Sequence, residues 1–159
     1  MAGALKNVYA LAAGCVEGLG MGLNTTSLLC TRALAETADL ARALGAQEET
    51  LGGLAGVGDM MLTCFGRQSR NRMVGVRLGR GEALGDIMRS MEEVAEGVTT
   101  APVALRLALR CGVRVPLIEA ITAVLEGTLT PLSALMALLT VPTHYEREAA
   151  GARGGGAPT

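Results

Sequence analysis

The sequence predicts an all-α fold. Half of its 159 residues are hydrophobic, yet only 2% are aromatic and Trp is absent, so the core has to be built from Leu, Ala, Val and Met. Those side chains suit close-packed helices better than sheets, where β-branched and aromatic residues dominate. Apolar positions recur at helical spacing, and no stretch of useful length alternates as a strand would. A chain of this size can form one domain that buries about 70% of its unfolded surface.

The elements follow in order. A first helix is expected over residues 4–19, broken by Gly18, Gly20 and Gly22. Asn24-Thr25-Thr26 reads as the start of a second, with Leu28, Leu29, Ala33, Leu34, Leu40, Ala41 and Leu44 on its apolar side up to Gly45. Glu36, Asp39 and Arg42 supply part of its polar side. Residues 47–54 suggest a short helix or turn, and Ala55-Gly56-Val57-Gly58 a flexible approach to Asp59. Ser69 caps a helix running to Leu78, ended by Gly79-Arg80-Gly81, and a short helix covers residues 83–88. Thr99-Thr100-Ala101-Pro102 opens the next by placing Pro in the first turn, and Gly112 stops it. Pro116 precedes a helix over residues 117–125 that ends at Gly127, and Thr130-Pro131 starts the last, to about Leu139. Residues 1–148 form the helical domain and residues 149–159 a flexible Gly-rich tail.

Several function classes drop out. A net charge of -1 without a basic stripe argues against a nucleic-acid surface. Cys15, Cys30, Cys64 and Cys111 are widely spaced, lack any C-x-x-C pattern and share the chain with a single His, so no metal site is expected. Reduced structural cysteines are the plain reading. Residues 8–16 end like a lipoprotein cleavage site, but the helical pattern continues past Cys15, and no apolar run is long enough to span a bilayer. Gly18-x-Gly20-x-Gly22 and Gly53-x-x-Gly56-x-Gly58 lack the order of a dinucleotide fingerprint, so no Rossmann domain is expected in this chain.

The densest chemistry lies between Asp59 and Arg72, where an acid, a hydroxyl, basic forks and an amide gather within a dozen residues. Ser69 at a helix start directs its hydroxyl and the following backbone N–H groups to one place. Arg70 adds a planar bidentate donor suited to phosphate. Solvated arginines on a polar helix face are the competing reading. Asp59 is either a helix cap or a buried acid with a partner, and Thr63 lies one helical turn on. Lys6 beside Asn7 opens an apolar helix. It is either a solvated lysine or one drawn into a low-dielectric site, where lysines exchange protons near neutral pH. Glu96 can accept hydrogen bonds from ribose hydroxyls or stand in solvent.

Ala4-Leu5-Lys6-Asn7-Val8, Gly56-Val57-Gly58-Asp59, Leu62-Thr63-Cys64, Ser69-Arg70-Asn71-Arg72 and Glu96-Gly97-Val98 occur in this order. In that register the chain resembles the C-terminal, substrate-binding domain of NAD(P)-dependent glycerol-3-phosphate dehydrogenases of the bacterial and plastid type, over residues 3–147. The resemblance implies the multi-helix domain of 6-phosphogluconate dehydrogenase-like enzymes. It also implies interconversion of sn-glycerol 3-phosphate and dihydroxyacetone phosphate with NAD or NADP. Lys6 inherits the role of proton acceptor. Asp59, Ser69, Arg70 and Asn71 inherit substrate contacts, with Asn7 and Thr63 lining the same site. Arg70, Val94 and Glu96 inherit cofactor contacts. The cofactor's main seat belongs to a domain not found in this sequence, so the chain alone is expected to be inactive. The alternative is a non-catalytic helical oligomerisation or interaction module derived from such an enzyme. Homo-oligomerisation and a cytoplasmic or plastid-stroma location complete the expectations.

Overall fold

The computed structural model describes residues 2–46, 58, 62, 66 and 69–140. Among these residues it forms seven helices and no strands: α1 (Ala2–Gly18), α2 (Leu23–Ala43), α3 (Arg70–Gly79), α4 (Leu84–Arg89), α5 (Glu96–Arg110), α6 (Pro116–Leu125) and α7 (Pro131–Thr140). The expectations for residues 47–54, for Cys64 and for the tail lie outside the described residues.

Helix α1 is the hub. Residues 8–16 are buried without interruption, as befits a helix that is apolar all round. Helices α2, α3, α5 and α6 pack around it, and α7 lies mainly on α6. The largest buried side chains, among them Tyr9, Leu11, Leu40, Ile87 and Ile118, make one continuous core. Cys15 and Cys30 are buried within it, and burial pushes the Cys15 thiol up to about 12. No described helix is long and apolar enough to cross a membrane.

The α1–α3 contact is made by glycine. A Cβ on Gly14 would stand 2.1 Å from the carbonyl oxygen of Arg72, and one on Gly75 would stand 2.1 Å from that of Leu11. Gly18 and Gly79 repeat the arrangement one turn on, against Val76 and Cys15. Two glycines four residues apart on each helix therefore bring the two backbones into direct contact, with the helices running in the same direction. Gly79 reads from the sequence as a helix stop; it and Gly18 are packing positions as well. At the surface an ion pair from Arg72 on α3 to Glu17 on α1 joins the same two helices.

Helix ends match the local signals where those signals are local. Gly112 (φ 67°) and Gly127 (φ 74°) terminate α5 and α6 in the left-handed conformation that glycine adopts freely. Pro116 occupies the first turn of α6, and the Thr130 hydroxyl accepts the Ser133 N–H at the start of α7. Three expectations need correction. Helix α2 begins at Leu23 with Gly22 as N-cap, so Asn24 to Thr26 lie inside its first turn. Helix α5 begins at Glu96, a turn earlier than Pro102 suggests, and Pro102 lies inside it. That proline removes the donor that the Val98 carbonyl would otherwise have. Glu36 is buried at 6% exposure instead of facing solvent. Its carboxylate reaches across to the start of α6, accepting the N–H groups of Leu117 at 2.5 Å and Ile118 at 3.3 Å.

Candidate functional site

Three helix segments meet at one end of the bundle: the second turn of α1, the N-terminus of α3 and the N-terminus of α5. Because α3 runs alongside α1 from its middle onward, Ser69 and Arg70 open toward the end of α1 that carries Lys6 and Asn7. Ser69 is the N-cap of α3, and its Oγ accepts the Arg72 N–H at 3.3 Å. The hydroxyl retains its own proton for donation, and the leading N–H groups of α3 face the same way. Ser69→Ala should lower stability by about 1 kcal/mol, the usual effect of losing a capping hydroxyl, as read by chemical denaturation.

Arg70 is half exposed at the first position of α3 and forms an ion pair with Glu93, in the segment that leads into α5. Asn71 points inward. It is buried, and its Oδ1 accepts the backbone N–H of Gly97 at 2.8 Å. Asn7 donates from Nδ2 to Glu96 Oε2 at 3.1 Å. Lys6 is half-buried on α1, one residue before Asn7. Val94 stands out from the α5 approach with 63% of its surface exposed.

The structure thus gathers Asn7, Arg70, Asn71 and Glu96 through direct bonds or adjacent residues, with Ser69 at the head of α3 and Lys6 beside Asn7. Asp59 and Thr63 lie outside the described residues. Among the described residues no three His, Cys, Asp or Glu side chains gather as a metal site would require. Sequence reasoning passed over Glu93 and gave Gly97 no role beyond its place in the Glu96-Gly97-Val98 motif. The available signal was at Ala95: a helix starting at Glu96-Gly97 behind an alanine has no capping side chain of its own, so its acceptor must come from elsewhere.

A helix N-terminus with a serine cap, a half-exposed guanidinium, a nearby lysine and a carboxylate held by an amide is suited to a small anion that also bears hydroxyl groups. The comparisons with known proteins give that arrangement a family. Residues 1–136 match the family model described as the NAD-dependent glycerol-3-phosphate dehydrogenase C-terminus. A glycerol-3-phosphate dehydrogenase (NAD(P)+) of Acidobacterium capsulatum is 50% identical over 147 residues, which cover 92% of this chain and 44% of that protein. A chloroplastic glycerol-3-phosphate dehydrogenase (NAD(+)) of Arabidopsis thaliana is 47% identical over 146 residues, covering 92% of this chain and 35% of that protein. The crystal structure of glycerol-3-phosphate dehydrogenase from Coxiella burnetii superposes with a TM-score of 0.84 at 36% identity, covering 88% of this chain and 43% of that one. The fold is that of an all-α dehydrogenase domain. The chain belongs to the family of NAD-dependent glycerol-3-phosphate dehydrogenase C-terminal domains. It spans less than half the length of these curated relatives.

Proposed function

We propose that this chain is the substrate-holding half of a glycerol-3-phosphate dehydrogenase, acting with NAD or NADP on sn-glycerol 3-phosphate and dihydroxyacetone phosphate. The observation that carries the reading is the convergence of Arg70, Asn71, Asn7 and Glu96 at the junction of α1, α3 and α5, beside Lys6. Ser69, Arg70 and the leading N–H groups of α3 hold the phosphate. Asn71, Asp59, Asn7 and Thr63 complete the substrate's surroundings. A bound nicotinamide would supply the acceptor for the hydride at C2. Lys6 Nζ accepts the C2 hydroxyl proton in the same direction of reaction and returns it to the carbonyl oxygen in reverse. Arg70 stabilises the alkoxide charge that develops as the hydride leaves.

The residues present fit one edge of a dinucleotide. The Glu96 carboxylate is exposed and already oriented by Asn7, so it can accept ribose hydroxyls. Val94 offers an exposed apolar contact, and Arg70 meets phosphate once it releases Glu93. Homo-oligomerisation is supported by Leu132, Met136 and Leu139, which form an exposed apolar stripe at helical spacing on α7. A cytoplasmic or plastid-stroma setting accords with this chemistry.

Supplied with a dinucleotide-binding domain of the same family, the protein should oxidise NADH in the presence of dihydroxyacetone phosphate. Lys6→Ala should then lower kcat by about two to four orders of magnitude, the usual weight of a general acid–base group. A variant retaining full rate would remove Lys6 from that role. If calorimetric titration of the supplied protein gives no heat with sn-glycerol 3-phosphate or with NADH, the chain is instead a helical interaction module.

A further inference from the structure

Helix α5 opens without a capping side chain of its own: its N-cap is Ala95, and glycine takes its second position. Either residue weakens a helix start, since alanine offers no side-chain acceptor and glycine favours the unfolded chain. The missing acceptor comes from α3, as Asn71 Oδ1 on a side chain only 7% exposed. On its other side Gly97 lies against α1. A Cβ there would stand 2.5 Å from the backbone oxygen of Asn7 and 2.9 Å from Asn71 Oδ1. Only a residue without a side chain lets the three helices meet at that point. One residue earlier, the Asn7 amide holds the Glu96 carboxylate at 3.1 Å.

We propose that Gly97 and Asn71 are positioning residues: one by its missing side chain, the other by Oδ1, they clamp α1, α3 and α5 so that Lys6 and Arg70 face the phosphorylated polyol, with Glu96 beside them at the dinucleotide edge. The ligand side of this rests on the reading above, that a phosphorylated polyol binds at the junction. Gly97 acts without touching that ligand. It sets how far the second turn of α1 stands from the head of α5, and Asn71 ties the head of α5 to that of α3. A methyl group at position 97 therefore separates the lysine from the guanidinium while leaving every candidate contact chemically intact.

Two measurements test the clamp separately. Amide hydrogen exchange on the full chain reads the cap without any ligand. Exchange at the Gly97 N–H should quicken at least tenfold in Asn71→Ala and return to near the parent rate in Asn71→Asp, which keeps the acceptor. Unchanged exchange in Asn71→Ala overturns the cap. Calorimetric titration with sn-glycerol 3-phosphate, on the chain supplied with its dinucleotide-binding domain, reads the site. Gly97→Ala should weaken binding at least tenfold. Val124→Ala, in the apolar lining beside Val16 and Leu19 at the far end of α1, should bind like the parent despite its own loss of stability. Parent-like binding by Gly97→Ala, or an equal loss in Val124→Ala, overturns the positioning role. If the parent itself does not bind while the exchange pattern holds, the substrate reading fails and the cap stands. Should Gly97→Ala not fold, the exchange measurement decides: Gly97 N–H exchange no slower in Asn71→Asp than in Asn71→Ala overturns the clamp.

Discussion

Gly75→Ala should be among the most damaging single-methyl changes available to this protein, lowering stability by roughly 3 kcal/mol, at the upper end for overpacking a core. The reason is the nature of the obstacle. A Cβ at position 75 would stand 2.1 Å from the Leu11 carbonyl oxygen and 2.9 Å from the Cys15 nitrogen, both backbone atoms of the central helix. Backbone cannot rotate out of the way as a side-chain tip does, so α3 must move off α1 as a body. In a chain of this length the change corresponds to a fall in melting temperature of about 10 °C, followed by far-UV circular dichroism. Gly3→Ala is the control. It lies in the first turns of the same helix with open space where its Cβ would go. Alanine's better helix propensity should leave stability unchanged or raise it by up to about 1 kcal/mol. A Gly75→Ala protein melting within a couple of degrees of Gly3→Ala would show that the backbones are not in contact. Since Ser69, Arg70 and Asn71 all head α3, the same displacement should also disturb the junction with α1 and α5.

This contact marks a boundary in what the residues disclose before a structure is known. Signals that act within one turn were legible. Ser69 caps α3, Pro116 opens α6, and Gly112 and Gly127 end their helices, each through bonds or dihedral angles set by near neighbours. Signals that act between helices were not. Gly14 and Gly18 meet Gly75 and Gly79 across some sixty residues of sequence, and nothing in either segment names its partner. The start of α5 was misplaced for the same reason. Its acceptor is Asn71, 26 residues earlier, so the local rule favoured Thr99 to Pro102 as the opening turn. The candidate site divides in the same way. Ser69-Arg70-Asn71 was legible as a trio at a helix head, but a trio on a helix must face different directions. Ser69 and Arg70 face outward and Asn71 turns in to serve α5, which only the packing of three helices decides.

Glu36 offers the sharpest test of that longer-range order, because its periodic position on α2 reads as solvent-facing and its actual environment is the reverse. Its carboxylate receives the Leu117 and Ile118 N–H groups at the head of α6, whose own N-cap, Val115, has no side-chain acceptor. Arg32, one turn earlier on α2, is also buried, and its Nε has no hydrogen-bond partner among the described residues. Glu36→Ala removes the acceptor from two helix-head donors. Leaving a buried donor unsatisfied costs about 1–3 kcal/mol, so with two donors affected a loss near 3 kcal/mol is expected in urea denaturation. The pH dependence has a definite sign. Burial, opposed by the two N–H donors and reinforced by Glu119, lifts the Glu36 carboxyl from its ordinary value of 4.5 to about 8. In that window the folded protein holds a proton that the unfolded chain has released. The contribution is therefore fully present below the unfolded value and is lost as pH rises toward 8, with a slope of up to about 1.4 kcal/mol per pH unit. Glu36→Gln cannot ionise and should flatten this slope while keeping one acceptor for α6. If Glu36→Gln and the parent lose stability in parallel between pH 5 and 8, the carboxyl is not the group that titrates.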